Sequence, residues 1–462
     1  MKKKLTLISF CIIILSKLYA QNAQNIELKF TKPSKLLITE NLNLWKYGSK
    51  GAGSITTHEL SVSLTKPEPF IAFSIALEGS RIDASSVEIS LLTKQEGMWA
   101  KDWLPVEHNS DADNTSLRMV TNMCELDKNT TALKVRFIIK SNDIRLKKAK
   151  LRLFAPGSIS TGDIQSPLQL RGDCQQAPPS VSRSVWGAQW NLTDDKIYKG
   201  SPAYTPVTHL IVHHSAGNNT GSNWAAVVAA YFDLHVNTNG WSDIGYNWLI
   251  APDGTLFVGR GGGDGVVGAH MCGYNANTMG VCMIGNFTTV EPSQSALNKL
   301  AQLLAAKAMK FAIDPLGISA IRSNTGTMNN ISGHRDGCAR DYTECPGNLL
   351  YPKLTALRKD VKTTLAGCTT SNGDLWVQDN LKIYPNPNHG QFQLTADIRE
   401  LTSQPKVIRV INIEGKVIFE KKIDAHLTTI NETIELSNSA KGIYLVQLSS
   451  DKKSSTRLIS IN

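Results

Sequence analysis

Hydrophobic and polar positions change rhythm twice along the chain. Between about residues 25 and 154, short stretches at 58–64, 70–77, 87–92 and 133–139 alternate with period two, and turn residues separate them. That is the spacing of strands buried on one face, and it predicts an all-β sandwich over 21–155. A stretch rich in Gly, Ser, Gln and Pro at 156–180 interrupts the pattern as a linker does. From 181 to 368 the texture is mixed. Residues 207–214 and 280–287 read as strands, Asp253-Gly254 marks a hairpin, and 222–235 sets Trp224, Val228 and Tyr231 on one helix face. Residues 296–311 repeat Leu297, Leu300, Leu304, Ala308 and Phe311, an amphipathic helix. Alternating strands and helices predict one α/β domain, a mixed sheet flanked by helices. A polar linker at 369–380 leads to 381–462, where a turn at Tyr384-Pro385-Asn386-Pro387, a hairpin through Glu414-Gly415 and strands at 442–448 and 457–461 predict a small β-sandwich. The chain is therefore multidomain.

The first twenty residues follow none of these rhythms. A lysine triplet, an apolar run from Leu5 to Leu15, a polar break and then Ala20 before Gln21 have the form of a secretory signal peptide at 1–20. Lipidation at Cys11 is disfavoured by bulky Phe10 before it. No later stretch approaches the ~18 apolar residues that span a bilayer, so the mature chain is expected to be soluble outside the cytoplasm, without stable membrane insertion, and monomeric.

Hydrophobic residues at 41% and charged residues at 19% exclude wholesale disorder. Loss of Lys2, Lys3, Lys4 and Lys17 with the signal lowers the formal charge from +10 to +6, which gives no reason to expect a nucleic-acid partner. Export changes how the eight cysteines are read. Cys11 leaves, and seven remain: Cys124, Cys174, Cys272, Cys282, Cys338, Cys345 and Cys368. An odd count in an oxidising compartment leaves at least one thiol unpaired or bound to something else, a metal being one candidate. In the first domain, Trp99 and Trp103 offer either core packing or a sugar-stacking platform. The run Lys147, Lys148, Lys150 and Arg152 offers either a solvated strand edge or a surface for an acidic polymer.

The candidate chemistry is in the middle domain. His213 and His214 end a strand, so only one of them can face a shared site. Further on comes Gly333-His334-Arg335-Asp336, then Cys345-Pro346-Gly347. Two histidines and one thiolate supply three of the four positions of a tetrahedral Zn²⁺ and leave one for water, as catalytic zinc sites do. Cys282, between Val281 and Met283 in a strand, reads as a buried thiol.

The motifs Ile211-Val212-His213-His214-Ser215-Ala216, Gly240-Trp241-Ser242-Asp243-Ile244-Gly245-Tyr246-Asn247, Gly259-Arg260, Gly268-Ala269-His270, Gly273-Tyr274-Asn275 and Gly333-His334-Arg335-Asp336 resemble, in kind and order, those of peptidoglycan recognition protein amidases and their phage-type relatives. Arg183-Ser184-Val185-Trp186-Gly187-Ala188 is similar to that family's opening segment. The resemblance covers about 181–365. It implies a zinc-dependent N-acetylmuramoyl-L-alanine amidase with one zinc per chain, acting on peptidoglycan or muropeptides. Position by position, it implies His213, His334 and Cys345 as metal ligands, Tyr246 as the phenol beside the nucleophilic water, and Thr343 as a hydroxyl near the same oxygen. His214, His235, Arg260, His270 and Asn275 are then the expected substrate-binding residues, although on its own pattern His235 also fits core packing and His270 also fits a loop-orienting hydrogen bond. The resemblance also favours a Cys272–Cys338 disulfide near the metal. The general base stays open between Tyr246 and the water itself. Gly261-Gly262-Gly263 stand where relatives often carry tryptophan, so discrimination between stem peptides is expected to relax. The loop before Cys345 is expected to bulge at Gly337-Cys338-Ala339.

Two other readings compete. Binding-only recognition modules usually lack the ligand cysteine, and cytosolic recycling amidases resemble a His-His-Asp set without an export signal. At the C-terminus, Ile383-Tyr384-Pro385-Asn386-Pro387, Ile411-Asn412-Ile413-Glu414-Gly415-Lys416, Gly442-Ile443-Tyr444 and Arg457-Leu458-Ile459-Ser460 resemble a type IX secretion sorting domain over 381–462. That resemblance implies the type IX machinery as a partner and a secreted or cell-surface location.

Overall fold

The computed structural model describes residues 22–30, 42–47, 53–65, 68–83, 85–109, 115, 117–141, 143–161, 178–321, 326–338, 343–371, 381–386, 388–398, 406–412, 416–424, 426–436, 439–450 and 453–461. The expected signal peptide and most of both expected linkers lie outside these. The described residues form two compact units, one up to Lys362 and one from Thr363 onward.

In the first unit, the N-terminal strands form two antiparallel sheets. The five-stranded sheet has Arg145–Phe154 and Ile71–Ser80 at its centre, and the seven-stranded one has Thr130–Ile139 and Val87–Gln95. Leu77, Leu91, Val135, Phe137 and Leu151, all fully buried, fill the space between them. The strands run longer than the alternation indicated at 70–77 and 133–139, while 58–64 shrinks to the pair Leu60–Ser61. The basic run is not an edge. Arg145–Phe154 pairs on both sides, and cross-strand carboxylates meet its cations: Lys148 with Glu27 at 2.6 Å and Lys150 with Glu78 at 3.6 Å.

The central domain is built on a five-stranded sheet. Thr278–Met283, His209–His214 and Ile331–Gly333 run parallel, Trp248–Ile250 joins them parallel, and Leu256–Val258 closes the edge as the antiparallel arm of the expected hairpin. The helix Trp224–Asp233 starts where Asn223 accepts the Ala226 N–H at 3.0 Å. All ten of its residues are buried, not just one face, and it continues as a π-helical turn, Leu234–Asn239. Its second face is covered by the N-terminal sandwich: Ala72, Met123 and Phe154 share one apolar cluster with Val228, Phe232 and Trp186. Arg152 reaches Asp233 with both prongs of its guanidinium, at 2.9 and 2.7 Å, and Ser74 Oγ lies 2.8 Å from Thr238 Oγ1. The sandwich and the α/β domain thus share one core across the expected linker.

Glu125, beside Asn218 in this unit, shows a consequence of that packing. Burial pushes its carboxyl up to about 7, and a hydrogen bond with Asn218 offsets only part of the effect. The folded state therefore keeps a proton that the unfolded chain releases near pH 4.5. The stability associated with that proton is complete below the unfolded value and is lost as pH rises through about 7. Glu125→Gln removes the titration, so thermal unfolding of the full chain should show it stabilised by roughly 2–3 kcal/mol at pH 8 and unchanged near pH 4. An equal effect at both pH values would contradict this origin.

The second unit has a three-stranded sheet (Leu381–Tyr384, Gln391–Asp397, Thr429–Glu435) and a four-stranded one (Val417–Ile423, Lys406–Asn412, Gly442–Ser450, Lys453–Ile461), with Phe392, Leu394, Ile408 and Val446 buried in its core. This is the small β-sandwich expected. No helix among the described residues is long and apolar enough to cross a membrane.

Candidate metal centre and substrate cleft

In the central sheet Val212 is in register with Gly333, so the next residues, His213 and His334, emerge side by side at the carboxyl ends of parallel neighbours. Open α/β sheets bind their ligands at that end. The two rings lie 4.5 Å apart, centroid to centroid. Cys345 comes from a separate loop clasped to the His334 turn. The Arg335 N–H donates to the Cys345 carbonyl at 3.0 Å, and the Arg335 guanidinium reaches the Glu344 carbonyl and Asn348. Asp336 closes the turn by accepting the Gly333 N–H at 2.9 Å and the Tyr351 hydroxyl. Cys345 Sγ then lies 3.7 Å from His213 Nδ1 and accepts the His214 N–H at 3.3 Å.

The donor atoms of His213, His334 and Cys345 all lie within 4.8 Å of one another, and the residues are at most 2% exposed. Ligands of a tetrahedral zinc, at about 2.0–2.3 Å from the ion, stand about 3.3–3.8 Å apart. The 3.7 Å separation meets that spacing, and two imidazoles with one thiol suit a borderline-soft cation. A second group, Cys272, His334 and Cys338, is as compact, but Cys272 and Cys338 form a disulfide with Cα atoms 5.8 Å apart and so offer no thiolate. That is the pairing the family resemblance favoured. Cys124, Cys282 and Cys345 are in no disulfide; Cys174 and the Cys368 side chain lie outside the described residues. Of the bulge expected at Gly337-Cys338-Ala339, Gly337 and Cys338 are described, and Ala339 lies outside the described residues with 340–342.

His270, expected as a substrate-binding residue or as a loop-orienting hydrogen-bonder, lies beside His213. Its Nδ1 is 3.0 Å from His213 Nε2 and its Nε2 is 3.4 Å from Thr278 Oγ1, so it fixes the ring whose other nitrogen faces Cys345. The ring needs Gly280 beneath it: a Cβ there would come within 2.6 Å of the imidazole. Asn275 accepts the N–H groups of His270 and Met271 at 2.7 and 2.9 Å and so shapes the loop. Arg260 donates to the Ile244 carbonyl at 3.2 Å and to Ser242 Oγ at 2.8 Å, which holds the segment bearing Tyr246. These three side chains line neither cavity described here.

Tyr246 packs against His213 at 5.3 Å and against His235 at 5.5 Å. His235 accepts the Gly245 N–H at 3.1 Å, stacks on Trp241 at 4.7 Å and lines a small recess with Tyr246 and His214. Thr343 accepts the Cys345 N–H at 3.0 Å and, with His214 and Cys345, lines a cleft of about 1100 Å³. Gly261, Gly262 and Gly263 border neither cavity; a Cβ on Gly261 would strike the Lys196 carbonyl, so packing accounts for that glycine. Sequence reasoning missed two features. One is the buried pair of Arg183 and Asp243, 2.9 Å apart, beneath the Tyr246 segment. The other is the contribution of the sandwich to both cavities, including Asn109 and Asn122 beside Tyr246.

Residues 203–348 match the family model for N-acetylmuramoyl-L-alanine amidase, and 382–462 match that for a secretion system C-terminal sorting domain. The second match agrees with the expected type IX export to the cell surface or beyond. Peptidoglycan-recognition protein LB of Drosophila melanogaster is 31% identical over 40% of this chain and 71% of its own length. Peptidoglycan recognition protein 1 of Bos indicus is 31% identical over 39% of this chain and 84% of its own. Among solved structures, wild-type Drosophila PGRP-LB is 32% identical over 38% of this chain and 91% of that one, with a TM-score of 0.30. The chain belongs to the peptidoglycan-recognition protein and N-acetylmuramoyl-L-alanine amidase family, with a secretion sorting domain at its C-terminus.

Proposed function

We propose that this protein is a secreted zinc-dependent amidase that hydrolyses the bond between the muramic acid lactyl group and L-Ala of the peptidoglycan stem. The observation that carries the reading is the buried convergence of His213, His334 and Cys345 with Tyr246 packed against one of them. Bound there, zinc would polarise the scissile carbonyl and lower the pKa of water toward ~7. His270 holds the His213 tautomer, the outer partner that metal-binding imidazoles ordinarily have. The Tyr246 phenol donates a hydrogen bond to the oxygen on which negative charge develops. Thr343 ties its own loop to the Cys345 N–H and can turn its hydroxyl proton to the same oxygen. It adds a hydrogen bond there but no charge. In the mature form the sorting domain is removed on export, and the target wall is reached from outside the cell.

Mass spectrometry of purified peptidoglycan after incubation tests this reading. Stem peptides with a free L-Ala amine should appear, vanish when a chelator is present and return with added zinc. Zinc-loaded protein that sediments with the wall but releases no peptide would leave the binding-only module as the correct reading.

A further inference from the structure

Only half of the cleft beside the ligand cluster is made by the central domain. His214, Asn286, Thr343 and Cys345 form one wall, and the opposing wall is the seven-stranded sheet of the N-terminal sandwich with the loop that carries Trp103. At about 1100 Å³ the cleft is as large as the largest ordinary small-molecule sites. It has room for more than the bond to be cut. We propose that this sandwich wall is a saccharide subsite, in which Trp103 and Arg136 take a sugar ring of the glycan strand attached to the scissile stem. The proposal rests on the amidase reading for the identity of the polymer, but its chemistry is read from the wall itself.

Trp103 is half-buried, and the Arg136 guanidinium lies 4.3 Å from its ring centroid. Arg136 is held in turn by Ser90, whose Oγ accepts from Nε at 3.1 Å. Both groups are therefore oriented before a ligand arrives, which lowers the entropy lost on binding. No carboxylate among the described residues pairs with Arg136. Charges of both signs border the same space, with Glu88, salt-bridged to Lys140, and Glu107 beside Arg136, and the neutral amide of Asn122 lies among them. A site for carboxylates or phosphates would gather cations, and mixed signs work against either. Sugar hydroxyls both donate and accept, so an interleaved set of donors and acceptors suits them, and an indole packs against the apolar face of a ring. Trp99, the other candidate platform, lies outside the cleft, with Lys94 and Lys134 at 5.5 and 4.4 Å from its ring.

The probe is the peptide-free tetramer of N-acetylglucosamine, titrated by calorimetry into the full mature chain. The parent should bind it saturably at one site. Trp103→Ala should weaken binding at least about tenfold, Arg136→Gln should weaken it several-fold, and Trp99→Ala should leave it unchanged. Arg136→Gln removes the charge and the guanidinium but keeps an unbranched polar side chain on the same strand, and it decides the matter if circular dichroism shows Trp103→Ala to be misfolded. An excess of sugar-free stem peptide should not displace the tetramer. The proposal is overturned if the parent shows no saturable binding at millimolar probe, if both cleft variants bind as the parent does, or if the stem peptide competes. Loss of the amidase reading would show separately, as zinc-loaded parent that releases no peptide from the wall.

Discussion

Cys345→Ser should lose nearly all hydrolysis while still sedimenting with insoluble peptidoglycan as the parent does. The substitution exchanges a soft thiolate, deprotonated when it binds zinc, for a hydroxyl that is a poor ligand at neutral pH. Two imidazoles alone hold zinc weakly, so metal content should fall from about one equivalent to a small fraction. The fold has little reason to follow. Serine nearly matches cysteine in size at this position, and the Cys345 loop is tied by the Arg335 N–H to the Cys345 carbonyl and by the Cys345 N–H to Thr343, neither of which involves sulfur. The cleft walls are set by the central sheet and by the sandwich core, which pack without the metal. Three measurements separate the outcomes: zinc by mass spectrometry, peptide release, and sedimentation with the wall. Cleavage within a few-fold of the parent would show that Cys345 is no ligand and that the site is wrongly assigned. Loss of both cleavage and sedimentation, with altered circular dichroism, would show that the metal also holds the domain together.

What the sequence disclosed and what it withheld divide along physical lines. The strand that carries His213 and His214 is legible from its apolar run, and strand alternation says that only one of the two histidines can face the ligand set. Periodicity could not say which residue lies beside it. That depends on the pairing of Val212 with Gly333, a contact between segments far apart in the chain. The helix Trp224–Asp233 was found, but Trp224, Val228 and Tyr231 were read as one face when Ala225, Ala229 and Phe232 are buried as well. A helix apolar all round needs a second cover, but the pattern does not say which part of the chain supplies it, and the sandwich does so through Ala72, Met123 and Phe154. The helix Leu354–Ser371 went unread, although Leu354, Leu357 and Val361 repeat with helical spacing. His270 was visible as a motif, but its partner was not, because the 3.0 Å contact with His213 requires the gap above Gly280. Neither Trp103 nor Arg136 belongs to any motif of the central domain. Their place in the cleft follows from the shared core, and no local pattern encodes it.

Asp243→Ala should be the most destabilising single change in the central domain, lowering stability by about 3–5 kcal/mol. Arg183 and Asp243 are both fully buried, with Nη2–Oδ2 at 2.9 Å and Nη1–Oδ1 at 3.1 Å. The carboxylate also accepts the N–H groups of Ile244 at 2.7 Å, Tyr198 at 3.0 Å and Gly261 at 3.3 Å. Alanine removes the anion and leaves a guanidinium in a dry interior, where its remaining partners, the Thr193 and Gly259 carbonyls, give it dipoles but no counter-charge. The three N–H groups lose their acceptor in the same step, each at a cost of about 1–3 kcal/mol if water cannot reach it. In a domain of this size the thermal midpoint should fall by roughly 6–20 °C. The loss should reach the chemistry too. Ile244 is the next residue and Tyr246 the third, so loosening the Asp243 anchor frees the backbone that holds the phenol against His213. Peptide release should therefore drop at temperatures where the variant is still folded, with zinc content unchanged, since no ligand is touched. Replacing both partners, Arg183→Met with Asp243→Leu, removes the stranded charge and should recover part of the stability but not the activity. A melting midpoint for Asp243→Ala within a degree or two of the parent would mean that water or another acceptor reaches Arg183, and that the pair does not anchor the Tyr246 segment.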